Sequence, residues 1–200
     1  MKLGLYLNTL RLGLRQIIVY RFEVWLNILI KFIRISSIAF LWSVLLKDPA
    51  IKGSFMEILP YFLVADSVQV LVGAEWIRFG RMMIDEIKDG TISNYLIRPV
   101  HPLLFMYARY YGGRGIEVLT ALVSLIIGWA MRPPDSILSI FLFLIALFVS
   151  LIVSVSINIL VGNLSFWFTE ADGIKNAVSH TIRIFGGTFI PISFFPKPRA

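Results

Sequence analysis

The sequence predicts an all-α, polytopic bundle of membrane helices, and three observations carry that prediction. Hydrophobic residues fill 58% of the 200 positions and charged residues only 16%, where a soluble domain carries about 25% charge. The mean hydropathy is +0.80. The basic residues behind the net charge of +7 and pI near 9.9 cluster beside the apolar stretches, which is where the positive-inside rule places them. Nucleic-acid binding is therefore not the reading of this charge.

The chain reads as a single membrane domain over residues 1–200. Residues 1–20 carry Leu5, Leu12, Ile17 and Val19 among Lys2, Arg11 and Arg15 with no acid, the pattern of a basic amphipathic helix lying at the cytoplasmic interface. No small-residue cleavage site follows an apolar run there, so the chain is expected to insert uncut. The first span is Phe22 to Leu46, about 37 Å of helix, with Lys31 and Arg34 inside it. Two such cations are expected to face protein or water rather than lipid. A polar turn at Asp48-Pro49 and Lys52-Gly53 ends it.

The second span is Phe55 to Phe79, holding Asp66 and Gln69, with Glu75 near its inner end. Six basic residues follow between Arg78 and Arg114, which with the four up to Arg21 put both segments, and the N-terminus, on the cytoplasmic side. The third helix is Leu103 to Ala130. Gly112, Gly113 and Gly115 permit either a bend or close helix approach, of which close packing is expected. After Pro133-Pro134, a fourth helix runs from Ile137 to Phe168 with Asn158 and Asn163 toward its inner end and Phe166 and Trp167 as an interfacial belt. A fifth, less apolar helix is expected from about Ile174, carrying His180 and Arg183, to Gly186-Gly187. Pro191, Pro196 and Pro198 bar a regular span beyond it, leaving a re-entrant or interfacial piece.

The segment Glu86 to Leu104, EIKDGTISNYLIRPVHPLL, stands out between these runs. Gly90 is the natural stop for the helix before it, and Thr91 or Ser93 can cap the next turn. Arg98-Pro99 and His101-Pro102 force extended residues. The product is a stiff, basic elbow, within a loop over 80–102, suited to passing force from a docked partner to the helix starting near Leu103. An ordinary cytoplasmic loop rich in turn residues fits the same local sequence.

Chemistry has little footing here. No P-loop, H-E-x-x-H pair or G-x-S-x-G elbow occurs, and there is no cysteine. No cofactor or metal is implied, and nothing argues for an enzyme. Intramembrane polarity remains. Asp66 at a helix centre costs roughly 2.5 to 3.5 kcal/mol on insertion scales. It belongs to a pathway or ion site together with Gln69, Lys31 and Arg34, or else it pairs with Lys31, Arg34 or Asn158 for structural reasons. A membrane enzyme acting on lipid through Asp66, Glu75 and His101, or a non-transporting scaffold, are the competing readings.

The run EIKDGTISNYLIRPVHPLLFMYAR resembles the first cytoplasmic loop of ABC-2 type permeases, the membrane subunits of bacterial and archaeal ABC exporters. In that loop an acidic-x-x-x-Gly-Thr turn precedes Arg-Pro-x-x-Pro; the matching residues are Glu86, Gly90, Thr91, Arg98, Pro99 and Pro102. The run from Phe166 to Pro196 is similar to the family's fifth helix and the short re-entrant segment after it. The resemblance implies a coupling helix against a separate ATP-binding subunit and a second permease half as homodimer or heterodimer; efflux of an unidentified substrate, amphiphilic or hydrophobic, is the expectation built on it. On that basis Leu96 and Ile97 are expected to fill a groove on the ATPase, with Glu86, Lys88 and Arg98 at its rim. The family has six spans; five are visible to Ala200, so a fragment is expected rather than a lost span.

Overall fold

The computed structural model describes residues 21–47, 54–73, 77–97, 99, 101–188 and 190–192. The expected interfacial helix over 1–20, the Asp48-Pro49 and Lys52-Gly53 turn, Glu75, Arg98, Pro196 and Pro198 lie outside these. Among the described residues the chain is all helical, with eight α-helices and no strand.

Helix α1 is Arg21–Leu45 and α2 is Phe55–Leu71. Ser54 caps α2, its hydroxyl accepting from the amide of Met56, which satisfies one of the donors a helix start leaves open. Trp42, Ile58 and Phe62 seal the pair. The second span differs from expectation. Instead of running to Phe79 it stops at Leu71, and a separate helix, α3 (Arg78–Lys88), begins after Ile77. Ile77 is in the left-handed region (φ 48°, ψ 47°) and fully buried. A β-branched residue is held there only by strong packing, and Ile84, Val161 and Ala171 supply it.

The amphipathic α3 lies across the end of α7 (Ile137–Asn163). Contact is close because of Gly80. A Cβ there would sit 2.8 Å from the carbonyl oxygen of Asn158. Asn158 completes the joint by accepting the Gly80 amide at 2.9 Å through Oδ1, so it serves the backbone and not Asp66.

A short helix, α4 (Ser93–Leu96), leads to α5 (Pro102–Gly113) and α6 (Gly115–Met131). The bend that Gly112, Gly113 and Gly115 permit is present: α5 and α6 meet at an angle of 65° around Arg114, and the close packing expected there is absent at Gly113, where the space is open, although Gly112 is buried. Two glycines flank Arg114, whose amide bonds the Tyr111 carbonyl three residues back instead of four, and they lower the cost of that break. Beyond it α6 packs along α2, with Gly128 facing Val64 and the Pro60 carbonyl.

After α7 a 3-10 turn, Leu164–Phe166, leads to α8 (Asp172–Phe185). Of the five expected spans, α1 and α7 are long and apolar enough to cross a bilayer, and the α5–α6 pair is a third if counted as one broken span. The 17 residues of α2 and 14 of α8 rise about 25 Å and 21 Å, short of a core about 30 Å thick. Past α8 the chain folds back on α2. Gln69 donates to the Thr188 hydroxyl at 3.2 Å and the Ile192 amide donates to the Tyr61 hydroxyl at 3.2 Å.

Candidate functional sites: the elbow and the charged cluster

The elbow begins where α3 ends. Asp89 closes the helix and Gly90 takes φ +69°, the left-handed geometry that favours glycine at this position. The expected caps do not form. The Thr91 hydroxyl turns back to the Glu86 carbonyl at 3.2 Å and to the Glu86 carboxylate, and Ser93 donates to the Gly90 carbonyl at 2.8 Å. Neither helps α4, which has no side-chain cap. Both hydroxyls instead tighten the turn between the two helices.

Glu86 is the hub of this turn. Tyr95, buried on α4, donates to its Oε1 at 2.9 Å, and Arg109 of α5 donates to the same oxygen at 3.1 Å. Arg109 also bonds the Tyr95 hydroxyl. Burial pushes the Glu86 carboxyl up, but the hydrogen bonds from Thr91 and Tyr95 and the charge of Arg109 together hold it below its ordinary value. Burial, and then the bond to Glu86, raise Tyr95. Glu86, expected at the rim of a docking surface, has its carboxylate engaged inside the elbow by Thr91, Tyr95 and Arg109. Tyr95 packs on Phe105 with ring centroids 6.1 Å apart, in a cluster with Phe79, Met83, Met106 and Tyr110.

The elbow turns two large apolar side chains outward beside the exposed polar Lys88, Asp89, Ser93 and Asn94. Leu96 is 66% and Ile97 82% exposed, while Pro99 is exposed and Pro102 begins α5. Lys88 pairs with Asp172 at 3.3 Å, and Lys175 holds the other oxygen of Asp172 at 3.3 Å. The Lys175 ammonium beside it is the main reason Asp172 stays below the usual carboxylate range. An open cleft of about 790 Å³ lies behind the turn, lined by Arg81, Asp85, Asp89, Asn94 and Arg109 among others.

The second cluster joins α1, α2, α3 and α6. Asp66 is flanked by Lys31 at 3.5 Å and Arg34 at 2.5 Å, all three side chains at most 29% exposed. Lys31 also donates to the Thr120 carbonyl at 3.0 Å. A second carboxylate, Glu117, accepts from Arg78 at 2.8 Å through one oxygen and from Arg114 through the other. Gln69 lies on the far side of Asp66, in a small cavity it shares with Arg34, Arg183 and Thr188. Of the polar groups considered for lipid chemistry, Asp66 is engaged by cations and His101 sits at the start of α5 on an exposed turn.

Tyr95, Arg109, Arg78 and Glu117 are the participants the sequence did not announce. Arg109 is 23 residues from Glu86 and Glu117 is 39 from Arg78, separations with no periodic signature. The only available hint was Glu117 itself, an acid opening an apolar helix three residues after Arg114.

A family model described as ABC-2 family transporter protein matches residues 17–199. No curated protein and no solved structure matches the chain. With apolar helices of spanning length and a match over nearly the whole sequence, the chain belongs to the ABC-2 transporter family, the membrane permeases of ABC transporters, which in general dimerise and work with an ATP-binding subunit.

Proposed function

We propose that this permease is half of an ATP-driven exporter in the cell membrane, multi-pass with its N-terminus in the cytoplasm, and that the elbow is the surface on which a separate ATP-binding subunit docks. The observation that carries this reading is the exposure of Leu96 and Ile97 on a turn pinned from behind by Glu86, Tyr95 and Arg109. Two large apolar side chains beside a charged, hydrogen-bonded turn are out of place against water and well placed in a partner's groove, since buried apolar anchors carry most interface energy. Lys88, Thr91, Pro99 and Pro102 frame this pair, and Gly90 sets its angle. The turn is rigid because its carboxylate is saturated from three elements. Movement imposed at Leu96 is therefore passed to α3 and α5 together.

The cluster of Lys31, Arg34, Asp66 and Gln69 stands at the inner part of the pathway in this reading. Efflux of an amphiphilic substrate fits the mixture around it of charged groups with the apolar Ile30, Ile35, Ile38, Phe62 and Val70. The test is reconstitution: the permease and its ATP-binding subunit, purified together and placed in vesicles, move a reporter amphiphile outward only with ATP. ATP-independent movement at the same rate contradicts the proposal.

A further inference from the structure

Packing divides the bundle into two groups of helices. In the first, α1 and α6 lie on α2, with Trp42, Ile58 and Phe62 sealed between α1 and α2 and Gly128 of α6 seated against Pro60 and Val64. In the second, α3 lies on α7 and touches α8, and the elbow joins α3 to α5. The apolar cluster around Phe79, Tyr95 and Met106 ties α3, α4 and α5 together, and the one around Ile77, Ile84 and Val161 ties α3 to α7. Among the described residues each apolar cluster stays inside one group.

The chain crosses between the groups at three places. It passes from α2 to α3 between Gly73 (φ +68°) and Ile77 (φ 48°), from α5 to α6 through the 65° break at Arg114, and from α6 to α7 through the Pro133-Pro134 turn. The first two crossings are neighbours. The Tyr111 hydroxyl, one turn before Arg114, donates to the Leu71 carbonyl at 3.2 Å, and Arg78, just after the first break, donates at 2.8 Å to Glu117, just after the second. Two helix breaks held side by side make a pivot, because a helix bends most cheaply where its hydrogen-bond ladder is already interrupted. Elsewhere along α2 the groups meet through polar contacts with the segment following α8. Gln69 donates to the Thr188 hydroxyl and the Ile192 amide to the Tyr61 hydroxyl, both at 3.2 Å. A cavity of about 20 Å³ lies on the same seam, between Arg34, Asp66 and Gln69 on one side and Arg183 and Thr188 on the other. Packed apolar cores move as units, and a polar seam between two of them is where they part.

We propose that the two groups are separate rigid bodies: the elbow, α3, α5, α7 and α8 turn together about the paired breaks against α1, α2 and α6, and the Tyr61 and Gln69 bonds latch the seam beside Asp66. The elbow lies in one body and the cluster of Lys31, Arg34 and Asp66 in the other. A push on Leu96 therefore displaces one wall of that cluster without unpacking either core. That the push comes from an ATP-binding subunit rests on the docking reading above; the two bodies and their latch do not.

The test uses the full chain in lipid nanodiscs without any ATP-binding subunit, so its outcome is separate from that of the docking experiment. Cysteine pairs introduced into this cysteine-free chain carry spin labels, and pulsed electron paramagnetic resonance reads the distances. Phe40 on α1 with Ile126 on α6 reports on the first body, Leu104 on α5 with Thr181 on α8 on the second, and Phe40 with Thr181 on the seam; all four side chains are exposed. The native sequence should give one narrow distance within each body and a longer minority distance across the seam. Tyr61→Phe keeps the ring but not the acceptor for Ile192, and should raise that minority about fivefold, the worth of one net hydrogen bond. Adding Thr188→Val, which removes the Gln69 bond, should bring the rise to about twenty-five fold if the two act independently. The pairs within each body should not shift. Ser124→Ala, which deletes a hydroxyl inside the first body, should shift none of the three. A single narrow seam distance that the double variant leaves unchanged overturns the two-body division. Equal broadening of all three pairs by the double variant overturns it as well, because that marks a loosened fold and no latch. A seam shift with Ser124→Ala as large as with Tyr61→Phe overturns the latch.

Discussion

Arg109 and Glu86 meet at 3.1 Å across the elbow, tying the middle of α5 to the last turn of α3. Because Tyr95 bonds both partners, the short helix between them is fixed to the same joint. The three elements have few ways to move independently, which is what a lever between a docked motor and the membrane helices requires.

Glu86→Gln keeps a hydrogen-bond acceptor but removes the charge that Arg109 and Tyr95 serve. A local loss of about 1 kcal/mol is expected, read as faster amide exchange over Glu86 to Ile97 with exchange in α7 unchanged. The native carboxyl is held below its ordinary 4.5. Its contribution is therefore complete above that value and lost as pH falls through the lower, folded value. The elbow should exchange at the same intrinsic-rate-corrected pace from neutral to mildly acidic pH and loosen only below about 4.5. Loosening that begins near neutrality would point to a different group.

Asp66→Asn leaves Lys31 and Arg34 facing a neutral amide. The variant should insert but melt earlier, with a loss of about 3 kcal/mol for an ion pair broken on one side. Combining it with Arg34→Gln should recover part of that loss, because the guanidinium that faced the Asp66 carboxylate is gone as well. A double variant as unstable as the sum of the singles would mean the pair does not interact.

Gly80→Ala places a methyl against the Asn158 carbonyl. The gain in helix propensity is about 1 kcal/mol, and overpacking against backbone costs about 1–3 kcal/mol, so the balance is a loss. It should appear as lower thermal stability and reduced ATP-driven transport, since α3 carries the elbow. An unaltered melt would show that α3 and α7 are not in close contact.

The chain lacks cysteine, so single cysteines report sidedness without background. Position Ser136, in the turn before α7, should label with an impermeant thiol reagent in intact cells, and Ser93 on the elbow should not. Labelling at Ser93 in sealed cells contradicts the orientation.

The class of fold was legible because bilayer burial writes itself into composition and run length; Ile140 to Val155 admits little else. Part of the elbow was legible too: Gly90 stops α3 and His101 is extended before Pro102, because both act through local backbone geometry that neighbours do not override. The break after Leu71 was not. Nothing in the residues around Ile77 signals a left-handed turn, which is imposed by tertiary packing against Val161 and Ala171. The bend at Arg114 was half visible: the glycines allow both outcomes, and the choice came from α6 packing on α2. The intramolecular role of Glu86 was not legible either. Its partner on α5 lies too far along the chain for spacing to reveal.

Central to the account is that Leu96 and Ile97 dock the ATP-binding subunit, and the most direct measurement is co-purification of that subunit with Leu96→Asp, alongside Lys88→Ala and Pro99→Ala. A carboxylate in a desolvated apolar contact should weaken binding at least about tenfold and abolish ATP-driven efflux. Lys88→Ala should have a small effect, because rim charges act mainly on association rate, and Pro99→Ala should still bind yet transport poorly once the fixed φ at the corner is gone. Leu96→Asp permease that retains the ATP-binding subunit and exports at the native rate would contradict the account.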